Sequence, residues 1–403
     1  MPDVCQSIKM LKSKGLIRRA VSSLMTLVNN VVPKSKGYLV FISYPDFADS
    51  AFTLFEYIRE HYSGDRTFIW LVAKGAKKPF FRNSENVVMV VNKKSLRGFY
   101  LFCRSKYIFF THGHYGYVKP PESQIIINLW HGMPLKKIGH YQGNRMPSAS
   151  LCVCTSQAFV NIMSKSFQLD FDKVLPVGLP RNDLLIERSL DLEDFLYKRL
   201  KPTAKVILWM PTFRDPFLDG DGITQTQGGQ SKDVVGFLDE RELVEFDAFL
   251  GSKNASCIIK PHPLDVRLNS SSGNQFVNIV FVSNEALSNR GIQLYSLLSF
   301  ADALITDYSS VFIDFMLTKK PIAFVMPDYS QYKNTRGFIF ENLLGNLPGP
   351  VLADRAALMK FVECLAANAA KATYIDNGQL DYFHSRREGF CQALYEEIFP
   401  QDI

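Results

Sequence analysis

No stretch of the 403-residue chain reaches the roughly 18 uninterrupted apolar residues of a membrane-crossing helix. Its seven cysteines, Cys5, Cys103, Cys152, Cys154, Cys257, Cys364 and Cys391, form no CxxC pair, and their number is odd. Cys152 and Cys154 alternate onto one strand face in "SLCVCTS". Small core residues in a reducing compartment are therefore expected, not a disulfide framework or a metal site. There is no HExxH, no metal-ligand cluster and no Walker loop, so zincin and P-loop chemistry are excluded. No GxGxxG follows the first strand, which argues against a nicotinamide enzyme. A cleavable leader is not expected, since "AVSSLMTLVNNVV" is interrupted by Ser, Thr and Asn and no small-residue cleavage site follows.

What is present is apolar and mildly basic. Hydrophobic residues make up 47% and charged residues 21%, enough for substantial cores, and the length favours two domains. The net charge of +7 favours an anionic partner such as a nucleotide, a phosphate polymer or anionic lipid.

Residues 1–36 stand apart. Met10, Ile17, Val21, Leu24, Val28 and Val31 recur at helical spacing, with Lys9, Lys12, Lys14, Arg18 and Arg19 upstream. The pattern predicts a basic amphipathic helix suited to an anionic membrane surface, or equally one packed on a domain with its charges solvated. From residue 37, continuous apolar runs alternate with helical segments: "YLVFISY", "FIWLVA", "NVVMVV", "KYIFFTHG", "QIIINLWHG" and "LCVCTS". Such runs predict parallel strands covered on both faces. "KVLPVGLPRND" reads as a connection, after which the rhythm resumes with "KVILWMPTF", "CIIKPHP", "IVFV", "ADALITDYSS" and "PIAFVMP". Two α/β domains are expected, 37–177 and 178–375, followed by a helical tail, 376–403, placed to pack back on the first. The polar, glycine-rich stretch 214–236 reads as a surface loop, either a lid or an ordinary insertion.

In open parallel sheets ligands collect beyond the carboxyl ends of the strands. The residues there are a biased set: His131 and Gly132, then Lys136 and Lys137; Arg181; Pro211, Thr212 and Arg214; Lys260, Pro261 and His262; Asp307, Ser309, Ser310 and Asp314. Cations, hydroxyls and histidines in those places suit phosphates. A helix starting near Ser309 would add its first-turn N–H groups, although Asp307 or Ser309 acting only as a cap is the competing reading. Pro261 and Pro263 stiffen the backbone around His262 and fix its imidazole. Gly132 allows close approach beside His131. His112 and His114 also follow a strand, but packing is the simpler role for them.

At "LWHGMPLKKIG", "PTFRD", "KPHP" and "TDYSSVFIDFMLTKKPIAF", in that order, with "YKNTRGFIFE" later, the chain resembles the CDP-glycerol glycerophosphotransferase family, whose members prime or polymerise teichoic acids or build phosphate-containing capsules. The resemblance covers roughly residues 37–390. It implies a GT-B architecture, two Rossmann-like domains facing across a cleft, with peripheral attachment to the cytoplasmic face of the cell membrane. It also implies transfer of a polyol phosphate from a CDP-polyol donor to a hydroxyl of a lipid-linked or polymeric acceptor, with release of CMP. No separate cofactor is expected, and the many fixed cations make a catalytic metal unnecessary without excluding one. The catalytic histidines of the family fall on His131 and His262. Its donor-binding positions fall on His131, Gly132, Met133, Pro134 and Leu135, on Arg181, on Pro211 and Thr212, on Lys260 to His262, on Ser309 and Ser310, and on Asp314. Met133 stands where a small hydroxyl residue is common in the family.

A histidine near neutrality suits removal of a proton from the attacking hydroxyl. His131 is expected to be that base, with His262 steadying the CMP leaving group. Arg181, Arg214 and Lys260 are expected to pair with the diphosphate. Two rivals stay open at this stage, a GT-B glycosyltransferase using a sugar nucleotide and a non-catalytic polyanion-binding protein. Nucleic acid is not the expected partner, because the basic residues lie in strand-end motifs, not in aromatic-interleaved patches.

Overall fold

The computed structural model describes residues 20–62, 66–77, 79, 87–116, 118–187, 189–201, 204–212, 235–261, 276–368 and 375–400. The chain divides into two compact units. Unit 1 takes the described residues of Met1–His131, Ile138–Arg181 and Gly389–Ile403, and unit 2 those of Gly132–Lys137 and Asn182–Glu388. The main division falls at Arg181/Asn182. The tail is shared, its helix Asn377–Phe383 lying in unit 2 and Phe390–Ile398 in unit 1.

Unit 1 is built on seven parallel strands: β1 (Ser35–Ile42), β2 (Thr67–Val72), β3 (Val87–Asn92), β4 (Ser105–Phe110), β5 (Ile125–Asn128), β6 (Leu151–Val153) and β7 (Val174–Leu175). Their spatial order is β3-β2-β1-β4-β5-β6-β7. The connection read from "KVLPVGLPRND" therefore contains a strand, too short at two residues to be heard against its prolines. The apolar runs are continuous because both faces are covered. Phe41, Phe68, Trp70 and Phe109 are all fully buried, with ring centroids 5.5 Å apart for Phe41–Trp70 and 5.1 Å for Phe41–Phe109. Burial of each such side chain contributes about 1.5–3 kcal/mol. Phe55 of the helix Asp49–His61 packs edge-on against Phe41 and Phe68.

The helix over 20–31 turns Met25 and Val28 onto the core and buries Asn29, whose side-chain amide donates to Gln124 Oε1 at 2.8 Å. Val21, Leu24, Leu27 and Val31 stay 50–70% exposed. The apolar residues of this helix thus serve two faces, Val28 inward and Val21, Leu24 and Val31 outward. The basic residues upstream, with Met10 and Ile17, lie outside the described residues.

Unit 2 repeats the design with five parallel strands: β8 (Lys205–Trp209), β9 (Ala255–Ile259), β10 (Ile279–Phe281), β11 (Ala303–Thr306) and β12 (Ile322–Phe324). Their order is β10-β9-β8-β11-β12. A capping box between Asp239 and Glu242 starts the helix Glu240–Ser252. That helix buries Asp247, whose carboxylate accepts the N–H groups of Asn278 and Ile279 at 2.7 and 2.9 Å and so seats β10. In each sheet the strand order reverses once, between β1 and β4 in unit 1 and between β8 and β11 in unit 2. Those two switch points are where a doubly wound sheet opens a crevice at its carboxyl ends.

Candidate active site

β5 stops at Asn128, three residues before His131. The Asn128 side chain then accepts the Trp130 N–H at 3.0 Å and steadies Trp130 at a φ of 52°, a left-handed turn unusual for a bulky residue. Gly132 follows at φ 135°. This contorted exit aims His131 at the β1/β4 switch point. Its Nδ1 lies 3.2 Å from the Thr111 carbonyl, which only accepts, so Nδ1 carries the proton and Nε2 the lone pair. Burial pushes the imidazole below the ordinary histidine range. The Thr111 carbonyl and Asp49 oppose that shift, and Arg181 adds to it.

His112, directly after β4, stacks on His131 with centroids 4.0 Å apart and planes 8° from parallel. Desolvation of its ring, with the neighbouring His131, pushes its pKa down to about 4. Arg181 belongs to the same unit and is 5% exposed. Its Nη1 donates to Asp49 Oδ1 at 2.9 Å. The helix that Asp49 opens has Ala48 at its N-cap and no side-chain cap. Neither Asp49 nor His112 carried a sequence signal beyond its place after a strand. His114, by contrast, is a packing residue bonded to the Ser148 carbonyl.

The remaining described candidates gather in unit 2. Gly132, Met133, Pro134 and Leu135 are buried there. Lys136 pairs with Phe338 in an isolated antiparallel bridge, Leu135 accepts the Ile339 N–H at 2.8 Å, and the Lys136 ammonium lies 5.0 Å over the Tyr332 ring. Tyr332 stacks on Tyr308 of the "TDYSS" run at 3.8 Å. Met133, 1% exposed, is a packing residue of this segment.

Pro211 and Thr212 follow β8, and Asp307 follows β11, across the switch point. Asp307 accepts the Thr212 N–H at 2.8 Å and also the Thr212 hydroxyl, fastening the two loops together. Asp307→Ala strands both Thr212 donors and should lower the unfolding free energy by about 1–3 kcal/mol in urea titrations. An unchanged midpoint would mean that the two loops do not depend on that link.

Ser309 and Ser310 are partly exposed ahead of a short helix, Val311–Phe315. Asp314 lies inside that helix, 1% exposed, where it accepts the Tyr295 hydroxyl at 2.5 Å and the Asn182 amide at 3.2 Å. Lys260 directly follows β9 and is 5% exposed, its ammonium 3.1 Å from the Pro261 carbonyl. Among the described residues no carboxylate pairs with it, and burial pushes its pKa down to about 8. His262 and Arg214 lie outside the described residues, as does most of the loop over 214–236.

Among the described residues, no three His, Cys, Asp or Glu side chains are grouped to hold a metal ion. Nor is any helix long and apolar enough to cross a membrane. A cavity of about 420 Å³ opens at the opposite, amino end of β8 and β11, lined by Glu187, Glu193, Lys205 and Asp302. It contains none of the candidate residues and is set apart from the chemistry by the length of the strands.

Two α/β units, each built on a parallel sheet with polar and charged groups at its switch point, define a Rossmann-type chain. The CDP-glycerol:poly(glycerophosphate) glycerophosphotransferase family matches residues 24–389, and the chain belongs to it. It is 27% identical to the teichoic acid glycerol-phosphate transferase of Staphylococcus aureus, over 95% of this chain and 98% of that one. It is also 31% identical to the teichoic acid glycerol-phosphate primase of Bacillus subtilis, over 52% and 47% of the two chains. The teichoic acid poly(glycerol phosphate) polymerase of Staphylococcus epidermidis is 26% identical over 93% of this chain, which spans half of that protein's length. Among solved structures, the wall teichoic acid polymerase TagF superposes with a TM-score of 0.72 at 23% identity, covering 98% of this chain and 96% of that one. The fold is thus shared, and the chain is a transferase.

Proposed function

We propose that this chain transfers glycerol phosphate, or a related polyol phosphate, from a CDP-activated donor to a hydroxyl of a lipid-linked or polymeric acceptor in teichoic acid synthesis, releasing CMP. The observation that carries the site assignment is His131. Its Nδ1–H is committed to Thr111, which leaves Nε2 as a base at a switch point. Nε2 takes the proton of the acceptor hydroxyl as that oxygen attacks phosphorus and CMP departs. Unit 2 supplies the donor cradle. Lys260 meets the diphosphate as a buried cation, Ser309 and Ser310 offer hydroxyls, and Asp314 with Asp307 keeps the cradle in shape. His262 steadies the leaving group. The two units are read as the two Rossmann-like halves of a GT-B architecture. The outward Val21, Leu24, Leu27 and Val31, with the basic residues upstream, support peripheral attachment to the cytoplasmic face of the cell membrane.

The test is CMP release from CDP-glycerol, CDP-ribitol and a panel of sugar nucleotides, each with lipid-linked and polymeric acceptors. Release is expected from a CDP-polyol alone. Release only from a sugar nucleotide would keep the fold and overturn the function.

A further inference from the structure

Several unusual features of unit 1 converge on His131. Asp49 opens its helix at φ 63°, a conformation that non-glycine residues seldom adopt and that persists only where the surroundings hold it. What holds it is its own carboxylate, which accepts the Ser50 N–H at 2.7 Å and Arg181 Nη1 at 2.9 Å. His112 lies flat on the His131 ring. It is fixed in turn by its Nδ1, 2.9 Å from the Thr111 hydroxyl, and by the edge of Tyr44 at 5.7 Å. Thr111 therefore fastens both rings, one through its hydroxyl and one through its carbonyl.

We propose that His112 and Asp49 are positioning residues for His131, His112 by lying flat on its ring and Asp49 by holding a negative charge near it that favours the imidazolium formed when it takes the acceptor's proton. This rests on the phosphotransfer reading of His131. The proton moves from the acceptor hydroxyl to Nε2 while the oxygen forms its bond to phosphorus. The bond from phosphorus to the CMP oxygen breaks, with its electron pair leaving on CMP. Nδ1–H stays on the Thr111 carbonyl throughout. Among the described residues, the charged and titratable groups acting on His131 are Asp49, Arg181 and His112. Asp49 favours the imidazolium and Arg181 opposes it. His112 accommodates it only while neutral, and desolvation keeps it so. A neutral ring lying parallel offers its face to the cation and blocks rotation out of line.

The titration of His131 in the full-length chain with ¹³C-labelled histidine reads this without any substrate, and the pH profile of kcat reads it again. Asp49→Asn should move the His131 midpoint down by about one pH unit, carry the acid limb of kcat down with it, and lower kcat about tenfold. Arg181→Gln should move the same midpoint upward. Opposite shifts from the two ends of one ion pair are not produced by a merely structural role. His112→Phe, which keeps a flat ring, should retain kcat within about threefold, and His112→Ala should lose about tenfold. If Asp49→Asn fails to fold, the Arg181→Gln midpoint decides alone. A midpoint unmoved or lowered in Arg181→Gln, or full activity in His112→Ala, overturns the proposal. A wild-type chain that releases no CMP from any donor, yet shows the two opposite shifts, would retire the phosphotransfer reading and leave the placement of Asp49 and His112 standing.

Discussion

His131→Ala should lower kcat by about 10²- to 10⁴-fold while leaving the donor KM within about threefold. The asymmetry follows from where the residue lies. His131 is in unit 1, whereas the described groups assigned to the donor phosphates, Lys260, Ser309 and Ser310, are in unit 2. Loss of the base removes an interaction realised in the transition state and leaves ground-state binding of the donor intact. Because burial holds the imidazole below its ordinary range, His131 is neutral and competent at pH 7, and the acid limb of kcat should fall below the pH of an unperturbed histidine. Ser310→Ala should do the reverse, raising the donor KM with a smaller effect on kcat. Steady-state kinetics with CDP-glycerol decides the matter. Equal losses in kcat and KM in both variants would sink this division of labour.

The doubly wound sheets were legible because their cause is local. Val, Ile and Phe runs such as "QIIIN" and "YLVFI" belong to strands buried on both faces, and no other common element is written that way. The strand ends at Thr306 and Ile259 were readable to within a residue, and so the positions of Lys260, Asp307 and Ser309 followed. What escaped was set by tertiary pairing. β7 is two residues long and exists only because β6 offers it an edge. Asp49 looks like a helix cap until Arg181, 132 residues later, claims its carboxylate. Asp307 likewise reaches Thr212, 95 residues earlier. Asp314 closes the "SSVFID" run and reads as a site residue, yet its oxygens hold Tyr295 and Asn182, neither of which carries a motif. The segment Gly132–Lys137 is contiguous with His131 in sequence but is packed with unit 2 through Phe338 and Tyr332. No periodicity reports where a chain changes allegiance between two cores.

Lys260→Met should stabilise the fold and damage the function at once. A buried ammonium with no carboxylate partner among the described residues carries a desolvation penalty that an apolar side chain of similar length does not. The fall from the ordinary 10.5 to about 8 corresponds to about 3 kcal/mol. The sign is set by the charged form, which is the one the fold disfavours. The penalty is fully present below pH 8, shrinks as the pH rises, and is gone near 10.5. The melting temperature of Lys260→Met should therefore exceed that of the wild type at pH 7, and the two should converge toward pH 10. Donor affinity moves the other way. An anionic diphosphate provides the missing countercharge, so the Met variant should raise the donor KM by about 10- to 100-fold at pH 7. In the wild type, KM should climb above pH 8 as the ammonium loses its proton. Lys260→Arg, whose guanidinium stays charged, should flatten that climb. Thermal melts and KM measured over pH 6.5–9.5 test both halves together. A Met variant that melts lower than the wild type would make Lys260 a structural strut. One that melts higher with an unchanged KM would leave a buried charge with no ligand to explain it. Stability given up at a strand end and recovered when an anion binds is the physical mark that separates a binding lysine from a packing one.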